Sequence, residues 1–185
     1  MAEGLLIIRA FIGLLLFAHG TQKLFGWYGG HGLEGTGGFF ASLGHRPGKA
    51  MAALAGMSEA GGGLLLTFGL VTPLAVAMIV GVMTVAAISV HGKNGLWATN
   101  GGYELPLTNA VVAAGIGFTG AGSWSVDNAL GLNLSGWAWG ILALVVGLIG
   151  ASIQLARVNK ATAAPEETYP AETDLAADPA TADRS

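Results

Sequence analysis

The strongest constraint on this chain is a series of apolar runs, each about as long as the 20 residues that carry an α-helix across a bilayer. Five runs read as spans, over about 5–25, 50–70, 73–90, 103–120 and 137–156. Only 10% of the residues are charged, against roughly 25% in soluble domains. Lipid is therefore the expected main solvent. The fourth run is the weakest, because its apolar core, 107–118, is short and rich in Ala and Gly. Glycine, at 31 residues, suits close helix–helix approach in a membrane. The chain has no cysteine. That excludes disulfides, thiol nucleophiles, Cys-ligated zinc and Cys-ligated iron–sulfur clusters.

The loops fit this reading. Residues 26–49 are Gly-rich and carry Trp27, Tyr28, Phe39 and Phe40, aromatics that suit the headgroup level. Thr36 is a candidate cap for a short interfacial helix bearing Phe39, Phe40 and Leu43. Residues 69–73 make a tight turn, so spans 2 and 3 form an antiparallel hairpin, with Pro73 at the start of the second. In span 5, Gly136 and Gly140, and Gly147 and Ala151, are four apart, as close helix packing favours. Residues 161–185 are Ala, Thr, Pro and acid, with little to bury, and read as a disordered acidic tail. With five spans, Lys23, Arg46, Lys49, Lys93, Arg157 and Lys160 fall on one side and Arg9 on the other. The positive-inside rule then places the N-terminus outside and the C-terminus in the cytoplasm.

Polar residues at membrane depth are the candidates for function, because they are costly there unless they face a cavity or a partner. Arg9, one turn into span 1, can snorkel to the near interface. Span 1 ends in His19, Gln22 and Lys23, which share a helix face. A rise of 1.5 Å per residue puts His19 about 6 Å and Lys23 about 12 Å past the midpoint of span 1, with Glu59 of span 2 within about 2 Å of the midplane. His91 ends span 3, and Tyr103 and Glu104 open span 4. These seven residues, His19, Gln22, Lys23, Glu59, His91, Tyr103 and Glu104, are expected to line a pocket at the cytoplasmic end of a helical bundle. Glu59 is expected to couple to His19 first and Lys23 second. No catalytic residue is assigned. His19, His91 and a carboxylate are metal-ligating types, but their spacing matches no metal signature, and no metal is expected. The Gly runs lack the strand and Gly-Lys-Ser/Thr of a phosphate loop, so no nucleotide or nucleic-acid partner is expected.

Several segments carry a family resemblance. They are His19-Gly20-Thr21-Gln22-Lys23-Leu24-Phe25-Gly26, Phe39-Phe40-Ala41-Ser42-Leu43-Gly44, Glu59 ahead of Gly61-Gly62-Gly63-Leu64-Leu65-Leu66, Gly69-Leu70-Val71-Thr72-Pro73, and Gly102-Tyr103-Glu104-Leu105-Pro106. In this order the chain resembles the DoxX family of small bacterial membrane proteins over about residues 5–127. The resemblance implies a four-helix transmembrane bundle in the bacterial inner membrane over residues 1–127. A linker and a fifth C-terminal transmembrane helix (128–160) and the acidic tail extend it. The family takes its name from a subunit of a thiosulfate:quinone oxidoreductase, and some members resemble parts of an oxidative-stress complex. The implied role is an accessory or quinone-linked subunit working with oxidoreductase partner subunits, and not catalytic alone. Other relatives are proposed as cargo receptors or assembly factors. A non-catalytic scaffold and a small-molecule transporter therefore stand as alternatives. Self-association is left open. No haem, flavin or iron–sulfur ligand set is present, and none of these is expected; quinone is the cofactor the resemblance implies.

Overall fold

A computed structural model describes residues 2–163 of the chain, with side chains described to residue 158. Of the predicted tail, only residues 161–163 are described, and they continue the last helix. The rest of that expectation lies outside the described residues.

The described residues form seven α-helices: α1 (Ala2–Phe25), α2 (Gly32–Ser42), α3 (Gly48–Phe68), α4 (Thr72–Val85), α5 (Glu104–Thr119), the single turn α6 (Val126–Ala129) and α7 (Trp137–Ala163). A π-helical turn, Ala86–Val90, extends α4. Four of these helices are long and apolar enough to cross a membrane: α1, α3, α4 with its π-turn, and α7 up to Val158. The protein is thus an all-helical membrane protein in the described residues. At 16 residues, α5 is shorter; it rises about 24 Å, against a hydrocarbon core of about 30 Å.

Glycine sets the register of α1 against α3. A Cβ built on Gly13 would lie 2.5 Å from the Gly63 carbonyl oxygen, and one on Gly20 would lie 2.5 Å from that of Gly56. Within each helix the two glycines are seven residues, or two turns, apart, so one stripe serves both contacts. Without a hydrophobic drive between helices in lipid, such close backbone contact is what holds them. The same device joins α4 to α7, where a Cβ on Gly147 would fall 2.7 Å from the Ala77 carbonyl oxygen. Leu16, Leu66, Val76, Ile79, Ala113, Ile116 and Ala143 fill the centre and draw α1, α3, α4, α5 and α7 into one core.

Arg9 does not snorkel. It is 1% exposed, and its guanidinium donates to the carbonyls of Leu66, Thr67 and Trp124. The cause is local. The last carbonyls of α3 have no donor from a further helical turn, although the Gly69 N–H reaches that of Leu66 at 3.0 Å, and Gly69, in the left-handed conformation at φ 60, opens room beside Arg9. Asp127 of α6 completes this end. Its carboxylate accepts from the Val71 N–H (2.7 Å), the Thr72 N–H (3.0 Å) and the Thr72 hydroxyl (2.6 Å), capping α4. Val71 holds φ 44, a costly value for a β-branched residue. The carboxylate supplies the compensating contact.

Thr36 is not a cap either. Helix α2 starts earlier, at Gly32, which leaves Thr36 in its interior and buried. There Gly37, one residue on, packs against Lys49 of α3.

Candidate functional site

Chain direction brings the C-terminal end of α1, the N-terminal end of α3 and the C-terminal end of α4 to the same end of the bundle. Helix α2 lies across that end, packed on α3. Between them is an open cavity of about 580 Å³. Its polar lining comes from Lys23, His31, Thr36, His45, Glu59, Ser89 and His91.

Lys23 and Glu59 form an ion pair, with the ammonium donating to Oε2. The Glu59 side chain is 4% exposed and that of Lys23 25%. The charge at depth is therefore paired, and only the lysine reaches towards the open part. Glu59 takes Lys23 and not His19 as its partner. Gly20 faces α3, and His19, one residue earlier, lies about 100° round the helix. His19 is exposed on the bundle's outer surface and lines none of the cavity. Lys23 is closer to the contact stripe and its longer stem spans the gap.

The other predicted residues divide. His91 lines the cavity, and its Nδ1–H donates to the Gly101 carbonyl at 2.7 Å, which leaves Nε2 as the second polar atom of the ring. Gln22 turns away and donates to the Tyr28 carbonyl at 3.2 Å. Tyr103 borders a separate hollow between α4 and α5, with Met83 and Leu107. Glu104 accepts from the Ala98 N–H at 2.9 Å and holds the 92–102 loop. Of the seven candidates, Lys23, Glu59 and His91 are brought together; His19, Gln22, Tyr103 and Glu104 are not part of the cavity.

Sequence reasoning missed His31, His45 and Ser89. His45 is 2% exposed, although it lies in the connection between α2 and α3. Its Nδ1 accepts from the Gln154 amide of α7 at 2.9 Å, and its Nε2–H donates to Ser89 Oγ at 3.1 Å. Ser89 passes the chain on to the Val85 carbonyl at 2.7 Å. This network uses a neutral imidazole, and burial lowers the His45 pKa, in the same sense. The π-turn sets Ser89 and His91 at the cavity wall; such turns recur at functional sites. No single-residue signal marks them. His45 sits in a Gly-His-Arg-Pro-Gly segment that reads only as a helix breaker.

Among the described residues, no group of three or more His, Asp or Glu side chains is placed to hold a metal ion. The arrangement is instead one buried ion pair with three imidazoles around it, suited to hydrogen bonding and proton exchange with a small polar group.

Residues 4–92 match the DoxX family. That stretch is similar to DoxX. The matched stretch runs from α1 through the π-turn and takes in every residue that lines the polar cavity. Tyr103 and Glu104, like α5 and α7, lie beyond the DoxX match. Comparison with curated proteins and with solved structures returns no match.

Proposed function

We propose that this protein is a quinone-linked accessory subunit of a membrane oxidoreductase or oxidative-stress system, and that the cavity between α1, α2, α3 and the π-turn binds the quinone headgroup. The observation that carries the reading is the Lys23–Glu59 pair, deep on the glutamate side and open to the cavity on the lysine side. A polar pair at membrane depth marks a functional site by default. The cavity volume, about 580 Å³, falls in the range of small-ligand sites. The Lys23 ammonium would donate to a carbonyl oxygen of the headgroup. Glu59 fixes the lysine and balances its charge. His31 and the free nitrogen of His91 would exchange protons with the opposite carbonyl as the quinone is reduced and reoxidised. Electrons would come from a partner subunit.

The positive-inside rule supports an orientation with this end in the cytoplasm, since Lys23, Arg46, Lys49, Lys93 and Arg157 cluster there. It requires α5 to complete a crossing in an inner membrane, giving five spans. The test is mass spectrometry of the gently extracted complex with lipids and small molecules retained. A quinone or an oxidoreductase subunit at stoichiometric level supports the reading; a bare chain with neither contradicts it.

A scaffold or assembly role has its own observation in its favour. Gln22, His91 and Glu104 each bond to the backbone of a neighbouring loop, which is a structural use of polar side chains. On that reading the complex would hold a partner protein and no small molecule.

A further inference from the structure

A second cavity lies beside the first. It is a groove of about 270 Å³ between α3, α4 and α7, lined by apolar residues that include Met51, Leu54, Leu74, Met78 and Val146. The two share a wall: Phe40, His45, Ala55, Val82 and Val85 line both. One chamber carries most of the polar side chains and holds the ion pair. The other is apolar and runs from that wall towards the middle of the bundle, along α4 from Val85 to Leu74.

The parts of the wall differ in how they are fixed. His45 is held by hydrogen bonds from two sides, to Ser89 and Gln154. Phe40 makes ring contacts, with Phe39 at 6.2 Å and His45 at 5.3 Å between centroids. Phe40 is half-buried and has no polar atom to satisfy. It is the apolar face of the wall, beside the hydrogen-bonded His45.

We infer that the two chambers form one site for an amphiphile, with the polar headgroup against Lys23 and Glu59 and the alkyl or isoprenoid chain laid past Phe40 into the α3–α4–α7 groove. This rests on the headgroup reading above and adds to it the place of the tail. It also gives α7, which lies outside the DoxX match, a part in ligand binding: Val146, Gly147, Gly150, Ala151 and Gln154 form one side of the groove. The wall shared with the polar chamber commits the groove to this ligand's own tail in preference to bulk lipid.

Gly150 lines the groove on the α7 side. A Cβ added at Gly150 meets nothing within 4 Å. Gly150→Phe therefore fills the groove, and Ser58→Leu does so from the α3 side. The probe is a benzoquinone with a decyl chain ending in a diazirine, irradiated on the full-length protein in nanodiscs, with and without excess unlabelled decyl quinone. Adducts are expected on Met51, Met78 or Val146, and the competitor should remove them. Either variant should lower them by about tenfold or more, the scale of one or two methylenes lost from an apolar pocket. Competed adducts that map elsewhere, or that survive both variants, overturn the tail assignment and leave the headgroup reading standing. No competed adduct at any position contradicts the headgroup reading and the tail assignment together.

Discussion

Lys23 donates to a carboxylate oxygen of Glu59, 36 residues further along the chain and almost entirely buried. This contact ties the end of α1 to the middle of α3 at the floor of the polar cavity. It depends on the glycine stripe above it, because the stripe sets which residue of α1 stands opposite Glu59.

Filling that stripe should break the site from a distance. Gly20→Val puts methyl groups where the Gly56 carbonyl and Ala60 already stand. Overpacking of this kind costs about 1–3 kcal/mol or more. Thermal unfolding in detergent should show the loss, whereas Gly38→Ala, where a Cβ meets nothing within 4 Å, should melt with the wild type.

Asp127 should matter as much, at the opposite end. Asp127→Ala leaves the Val71 and Thr72 N–H groups without their acceptor and Val71 in its strained conformation. A loss of about 1–3 kcal/mol is expected, the range for an unsatisfied buried donor or a lost cap. Asp127→Asn keeps an acceptor oxygen and should lose less. Equal melting of both variants and wild type would contradict the capping role.

Stability should fall on acidification, through His45. Its folded-state pKa is lowered by burial, so the unfolded chain binds the proton more readily. The contribution is fully present above the unfolded value and is lost as pH falls from about 6.5 downwards. Melting temperature measured across this window should drop in the wild type. The drop should be smaller in His45→Gln, which keeps a donor and an acceptor and does not titrate.

Topology is open to a direct test. If α5 completes a crossing, a reporter active only in the periplasm should be silent when fused after Ser185. A strong periplasmic signal would reverse the orientation and turn the polar cavity away from the cytoplasm.

Much of this was legible in the sequence because lipid leaves few options for the backbone. Runs of apolar residues long enough to cross become helices, and four of the five expected spans are helices of crossing length and composition. Depth alone marked Glu59 and Lys23, since charge there needs a partner. What depth cannot give is rotation about the helix axis. That is why His19, at nearly the right level, was expected beside Glu59 and is found on the outer surface. Arg9 was misread for a related reason: its partners are backbone carbonyls of a distant helix end and loop, which have no sequence signature. His45 was hidden in a turn whose composition speaks only of chain reversal, and its partner Gln154 lies 109 residues away on α7. The DoxX resemblance was expected to reach Asp127, and the match ends at residue 92. The cavity lies wholly within the shorter stretch.

Whether the polar cavity binds a quinone is tested most directly by the dissociation constant of a short-chain benzoquinone in nanodiscs, for wild type and for Glu59→Gln. The substitution keeps shape and removes the charge that fixes Lys23. Affinity should weaken by about tenfold or more, the scale of a lost charged hydrogen bond, while the melting temperature stays near that of the wild type, because Lys23 is partly exposed and can turn to the cavity. Unchanged affinity, or a protein that unfolds without any measurable quinone binding in the wild type, would make Glu59 and Lys23 a structural pair and contradict the assignment.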